Sequence, residues 1–340
     1  MKKLFLLWIF RASICLLFFI LSCSKIQKYS HNFFALDTNI NITIYSSFSN
    51  VQRDIDTFVN FVNKYEELLS ISNRNSEVWK INHRTDSIVK ISNALKPIIK
   101  VAQKEFNLSG GLFDITVEPF KTLYGLESHQ RQNRVPSQKE IDSALAFVGF
   151  EKIRFVNDSV FIMPQNMKFD FGGIAKGLIL IEAINFLKQK KHSGFLINLG
   201  GDIAAFGTKP SKESWIIGIQ DPRNPDNLIA TLKLKEGCVF TSGDYERYFI
   251  DSGKRYHHIF NPKTGTSGTI NMSATVIGKD PLEIDAVVKS VFLMPPQKAL
   301  QYLESRGMQG LIIDSTKTGW ANQSLKNLIS LSQGFEVNFR

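Results

Sequence analysis

The segment DPLEIDAVVKSVFLM, Asp280 to Met294, limits what this chain can fold into more than any other stretch. Asp280, Pro281 and Glu283 make an N-cap, N1 and N3 set that opens a helix. Past them the helix is apolar almost all round, with Asp285 and Lys289 as its interior charges. A helix with no polar face has to be covered on every side, so the rest of the chain must wrap it. Asp285 and Lys289, four residues apart, share one face. Buried together, each needs a partner, and each is placed to serve the other. In the alternative arrangement Lys289 snorkels to solvent and leaves Asp285 open.

The wrapping elements come in mixed order. NINITIY alternates Ile40, Ile42 and Ile44 and reads as a strand. Ser49 with Gln52 predicts a capping box for a helix through Leu69, whose apolar positions Ile55, Phe58, Val59, Val62, Tyr65 and Leu69 keep a period of about 3.6. A helix from about Asn93 to Phe106 ends at LSGG, and Ser137 with Glu140 caps another that stops at Gly149. Strands follow at KIRFV and SVFIM, then a helix from Ile174, then FLIN and IAAFG around an LGGD turn. WIIGI, LIATLKL, CVFTSG and SATVIG are further strands, and a last helix spans about Gln297 to Arg306. Strict strand–helix–strand alternation is missing, so the expected class is α+β. A length of 340 residues allows one large domain or two intimate ones.

The N-terminus reads differently. MKKLFLLWIFR is a basic leader, and ASICLLFFILS is an apolar run of eleven, against the ~20 residues a spanning helix needs. The run ends at ILSC, which reads as a lipoprotein signal over residues 1–22 with Cys23 as the lipidated first residue of the mature chain. The chain is then exported and held on a membrane by lipid, with residues 23–32 as a polar tether. An uncleaved anchor would put Arg11 near its centre. Without Lys2, Lys3 and Arg11 there remain 38 basic and 31 acidic residues, with no basic block or aromatic-basic alternation, which argues against nucleic acid. Cys238 is the cysteine left over, so no disulfide framework forms.

Five short motifs carry chemical potential. DFGGIAKG, Asp170 to Gly177, puts two glycines and Lys176 at a helix N-terminus, where bare N–H groups suit a phosphate. It matches neither GxGxxG nor GxxxxGK[ST], and on the octapeptide alone a tight turn with an exposed lysine is the better reading. GGLFDITVEPF places Asp114 and Thr116 after a glycine pair, and INLGGDI puts Asp202 past two glycines, which hairpin chemistry explains. TSGDYERYF holds Asp244, Glu246 and Arg247 on a polar turn. In YHHIFNPKTG, His257 and His258 point to opposite faces of a strand, so at most one faces a given site. Zinc lacks an HxxxH or Cys partner, and a serine hydrolase lacks its G-x-S-x-G elbow.

Taken singly, each motif has an ordinary structural explanation. In order, FALDT, SEVWKIN, GGLFDITVEP, RVPS, DFGGIAKG, INLGGDI, GIQDP, TSGDYERYF, HHIFNPKTG and IDAVVKSVF resemble the ApbE family, the FAD:protein FMN transferases, over roughly Phe33 to Ser330. The resemblance implies two intimately packed lobes of mixed or antiparallel sheet with flanking helices and an FAD cleft between them. Residues 33–330 form that domain and residues 331–340 a C-terminal tail. It also implies that FAD is split at its pyrophosphate with Mg²⁺, that FMN passes to a Thr or Ser hydroxyl of an acceptor flavoprotein, and that AMP leaves. Residue by residue, it makes Leu36 an apolar flavin contact, and Phe113 and Asp114 flavin and adenosine contacts. Asp170 and Lys176 become the FAD-holding acid and base, and His258 or Ile259 lies beside the cofactor, with Asp170 and His258 at the reacting centre. Gly173 lends a carbonyl to the metal and Asp285 a carboxylate. Four positions depart from the family pattern. Glu118 replaces glycine, Tyr124 replaces Trp and Ile181 replaces an acid. Lys289 stands beside the metal where the family usually has Thr or a small residue. The rival readings are an FAD-binding lipoprotein without transferase activity and a Mg²⁺-dependent FAD pyrophosphatase.

Overall fold

The structure, a computed structural model, describes residues 25–126 and 132–340. The signal reading and Cys23 lie outside the described residues. The helices are α1 (Val51–Leu69), α2 (Glu77–Asn82), α3 (Lys96–Leu108), α4 (Glu118–Tyr124), α5 (Gln138–Leu145), α6 (Ala175–Lys188), α7 (Pro281–Phe292) and α8 (Pro296–Ser305).

A nine-stranded sheet forms the middle layer. Its order is Gln27–Ala35, Thr38–Ser46, Gly194–Leu199, Asp202–Gly207, Gly237–Gly243, Asn271–Gly278, Gln309–Asp314, Gly319–Ala321, Val337–Phe339. Neighbours are antiparallel until the last pair, which is parallel. Helices cover one face, and a three-stranded sheet of Trp215–Gln220, Leu228–Leu234 and Ile329–Leu331 covers the other. The central strands are therefore apolar on both faces. Cys238 and Phe240 point to the helices while Val239 points to the small sheet, and Ile312 faces opposite to Leu311 and Ile313. Covered on both faces, these strands read as continuous apolar runs.

The apolar helix sits where its composition requires. In α7 every residue except Glu283 and Lys289 is buried. It lies on Gly237–Gly243 and Asn271–Gly278 and is flanked by α3, α6 and α8. Each fully buried aliphatic or Phe side chain contributes roughly 1.5–3 kcal/mol, so this helix anchors the core. Asp280 caps it as expected, accepting from the N–H groups of Leu282 and Glu283 at 2.9 and 3.3 Å. Buried Glu105 of α3 ties down the far side, accepting from Ser290, Tyr302 and Arg306.

A smaller aromatic cluster, Phe120, Tyr124, Ile141 and Phe260 among it, joins α4 and α5 to the hairpins that follow Gly243. The site lies where this cluster meets the main core.

Several boundaries differ from the sequence reading. The first strand begins at Gln27, inside the segment read as tether, because Gln27–Ala35 finds a full antiparallel partner in Thr38–Ser46. Val337–Phe339, read as tail, closes the sheet edge. The Ser137–Glu140 capping box is present, but α1 starts after Asn50 with no side-chain cap, so its apolar stripe and not a cap positions it. Helix α3 begins at Lys96 with Pro97 in its first turn, where a proline ring suits a helix start.

Candidate active site

The octapeptide is built around its glycines. Asp170 N–H donates to the Ile115 carbonyl at 2.7 Å, which docks the segment on the GGLFDIT loop. One Asp170 oxygen accepts from Gly172 N–H at 2.9 Å and closes the turn; the other pairs with the Lys121 ammonium, which arrives from α4. A Cβ on Gly172 would lie 3.3 Å from Lys121 Nζ. One on Gly173 would lie 3.4 Å from the Phe113 ring and 3.8 Å from the Lys289 stem. The glycine pair thus threads between Lys121 on one side and Phe113 and Lys289 on the other.

The start of α6 is completed by α7. Its N-cap, Ile174, has no side chain able to accept a first-turn N–H. Asp285 supplies that acceptor across the helix interface, taking Gly177 N–H on Oδ2 at 2.8 Å. The approach demands glycine, since a Cβ on Gly177 would lie 2.5 Å from the Pro281 carbonyl oxygen and 2.7 Å from Leu282 Cα. The second Asp285 oxygen pairs with Lys289, the inward one of the two arrangements the sequence allows. Lys176, one residue before Gly177, pairs with Asp202 at 2.7 Å, and Asp202 also accepts from Thr241 N–H at 3.2 Å.

Three ammonium groups, each held by a buried aspartate, therefore surround one glycine turn: Lys121 with Asp170, Lys176 with Asp202 and Lys289 with Asp285. Exposed Glu246 and Arg247 complete the charge set, Glu246 interacting electrostatically with Lys176, Asp202, Lys289 and Arg247. Burial pushes the Asp170 carboxyl up, but the Lys121 ammonium and the Gly172 N–H outweigh it and hold it below the usual carboxylate range. Burial would lower Lys176, yet the carboxylates of Asp202 and Glu246 keep it above its ordinary value, so it stays a cation. Complete burial moves Asp285 upward, with Lys289 offsetting part of the effect.

The adjacent histidines take opposite roles. Buried His257 uses both ring nitrogens internally, Nε2–H donating to the Gly268 carbonyl at 2.7 Å and Nδ1 accepting from Ile259 N–H at 3.2 Å. Half-buried His258 faces the site. Its Nδ1–H donates to the Arg247 carbonyl at 3.4 Å, which leaves Nε2 as the acceptor atom. Burial, then the nearby charge of Lys121, His257 and Arg247, hold His258 well below the usual histidine value, so it is neutral.

The other expected residues sort by distance from this charge cluster. Phe113 stands against Gly173. Leu36 sits at the tip of the first hairpin with φ of 54°, and Asp37 beside it, also left-handed, reaches Arg247 at 3.6 Å. A leucine at such a turn position is strained, a feature that concentrates at functional sites. Ile259 is buried in the core. Asp114 spends its oxygens on the protein: Thr116 N–H and Oγ1–H at 2.8 and 2.7 Å, and Phe150 N–H at 2.9 Å. Lys121 was missed in the sequence, where nothing separates it from any helix-surface lysine. Asp202, Glu246 and Arg247 were noticed only as turn residues, because their convergence is tertiary.

Cofactor fit follows from these donors. A lysine ammonium has three N–H donors and its aspartate takes one, so each of the three retains capacity for phosphate oxygen. The glycine turn leaves room for it, and the pyrophosphate of FAD fits the residues present. A divalent cation does not. Both Asp285 oxygens are engaged, one by an ammonium, and among the described residues no three His, Cys, Asp or Glu side chains gather as a metal site.

The same arrangement of elements occurs in known proteins. The ApbE protein of Thermotoga maritima superposes with a TM-score of 0.81 at 31% identity, covering 90% of this chain and 97% of that one. The flavin transferase ApbE of Vibrio cholerae shares the fold, with a TM-score of 0.79 at 21% identity, over 89% of this chain and 100% of that one. A protein of Escherichia coli K12 named FAD:protein FMN transferase is 28% identical over 229 residues, 64% of this chain and 65% of that relative. A Klebsiella pneumoniae protein of the same name is 32% identical over 198 residues, 57% of this chain and 60% of its own length. The matched stretch thus spans less than two thirds of either relative. The family model described as the ApbE family matches residues 36–312, the span that holds the glycine turn and all three Lys–Asp pairs, and the chain belongs to the ApbE family.

Proposed function

We propose that this chain transfers FMN from FAD to a Thr or Ser hydroxyl of an acceptor flavoprotein. The observation that carries the reading is the convergence of three Lys–Asp pairs on the Gly172-Gly173 turn in a member of this family. The names of the relatives support the same chemistry.

In the reaction the acceptor hydroxyl oxygen bonds to the FMN-side phosphorus of FAD. The bond from that phosphorus to the bridging oxygen breaks, and AMP leaves with the bridging oxygen and its electron pair. Lys121 and Lys176 bind the pyrophosphate oxygens and neutralise charge that builds there. Asp170 and Asp202 hold those ammonium groups in place. The Nε2 of neutral His258 accepts the hydrogen bond of the incoming hydroxyl and orients it, and the hydroxyl proton passes to solvent or to the departing phosphate. Phe113, pressed on Gly173, offers an apolar wall for the ring system. The Mg²⁺ expected from the family resemblance has no step here, because Asp285 is already engaged.

The N-terminal leader and Cys23 support a lipid-anchored, exported protein that meets its acceptor at a membrane surface. Mass spectrometry of the native protein checks this: acylated Cys23 is expected, and an unmodified Cys23 refutes the anchor. For the activity, purified mature chain is incubated with FAD and a candidate acceptor domain. Covalent flavin fluorescence on the acceptor is the expected outcome. Free FMN with AMP would mean hydrolysis, and unchanged FAD a carrier.

A further inference from the structure

The pair of Asp285 and Lys289 stands where the family resemblance places a metal, between the Gly173 turn and the start of α6. We propose that the Lys289 ammonium is a built-in cation that takes the metal's place, binding the phosphates of FAD and removing the need for a divalent ion at Asp285. The inference rests on FAD being the ligand of this site.

The geometry supports it in three ways. First, Asp285 is fully buried, with one oxygen on Gly177 N–H and the other on Lys289, so a divalent ion reaches it only by expelling the ammonium. Second, Lys289 does not snorkel away. Its stem runs beside Gly173, where an added Cβ would lie 3.8 Å from it, and its side chain is 19% exposed against 1% for Asp285, so the pair is covered from the aspartate side and open from the lysine side. Third, the open side faces the charge set already described, with Lys176 and Glu246 in electrostatic reach. Glu246 also interacts electrostatically with Arg247. One ammonium donor is spent on Asp285, leaving two for phosphate oxygens. The arrangement supplies one fixed positive charge in place of a bound ion that must be captured from solution.

The test compares wild type with Lys289→Thr in two titrations. The first follows FAD binding by flavin fluorescence in EDTA and in saturating Mg²⁺. Wild-type affinity is expected to agree within about twofold between the two, the scatter of a neutral change. The Thr variant should bind about tenfold or more weakly in EDTA, the equivalent of one charge-assisted hydrogen bond, and recover with Mg²⁺. The second follows Mn²⁺ by electron paramagnetic resonance. Wild type should leave Mn²⁺ free, whereas the variant should take up about one ion, a gain abolished by adding Asp285→Asn. Stoichiometric Mn²⁺ on wild type, lost in Asp285→Asn, would overturn the proposal, as would wild-type FAD binding that collapses in EDTA. Both wild-type measurements stand even if a variant fails to fold. If FAD binds under neither condition the transferase reading fails, while the Mn²⁺ titration still decides for or against the inward lysine.

Discussion

Two glycine turns lie side by side in this molecule, each with a buried aspartate: Asp114 after Gly110-Gly111, and Asp170 before Gly172-Gly173. A hydrogen bond from Asp170 N–H to the Ile115 carbonyl links them. Their sequence chemistry is nearly the same and their physics is opposite. Asp114 is satisfied by neutral donors, two from Thr116 of its own loop and one from Phe150 N–H, and burial pushes its carboxyl up to about 6 despite them. Asp170 has an ammonium beside it and is held low. An acid next to a glycine pair therefore says little about ligand binding. What separates the scaffold turn from the site turn is the counter-ion, and the counter-ion arrives from elsewhere in the chain.

The strongest way to break this contrast is Lys121→Met. It leaves Asp170 buried without its cation, and losing one partner of a buried pair should destabilise the fold by about 3–5 kcal/mol, read from denaturant unfolding. An unchanged midpoint would show that Asp170 needs no counter-ion.

Next is the pH dependence, where the two carboxylates pull in opposite directions. The folded value of Asp114 lies above its ordinary 3.8, so the folded chain holds that proton more tightly than the unfolded chain. Stability then falls as pH rises from 3.8 to about 6, by on the order of 3 kcal/mol. Asp170, held low, contributes stability that is present at neutral pH and lost as pH falls through its folded value. Asp114→Asn should flatten the upper window and leave the acid-side loss; a profile identical to wild type would contradict the assignment.

At the ligand, Lys176→Ala should weaken FAD by about 1.5–3 kcal/mol and riboflavin far less, because the lost partner is phosphate. Equal weakening of both, seen by fluorescence titration, would make Lys176 a structural residue.

The smallest effect sharpens the scaffold side. Thr116→Val removes a hydroxyl that donates to Asp114 at 2.7 Å and accepts from Gly149 N–H at 2.8 Å. It should cost about 1–2 kcal/mol in stability, without selective loss of FAD over riboflavin. A selective loss would place Asp114 in contact with the ligand after all.

Much of the architecture was legible before any coordinates. The apolar run after Asp280 required a wrapped helix, and the i,i+4 spacing of Asp285 and Lys289 put them on one face, because both follow from helix geometry within one element; whether Lys289 meets Asp285 or reaches solvent stayed open. The α+β class followed from element order, and the glycines of DFGGIAKG marked a close approach without saying to what. Helix α1 is legible in its apolar period but its start is not, since packing and not a side-chain cap fixes where it begins. The edge strand at Gln27 was hidden in a polar segment, because an edge strand needs a partner's hydrogen bonds and not a buried face.

What only the tertiary structure decided is which charges meet. Lys121 and Asp170 are 49 positions apart and Lys176 and Asp202 are 26 apart, on different elements, and no local pattern joins them. Sequence periodicity encodes which face of an element is dry, because that depends on the element alone. The pairing of charges depends on how separate elements cross. Here the crossing of α6 over α7 at Gly177, where a single methyl group would not fit, sets Asp285 against the start of α6 and next to Lys289.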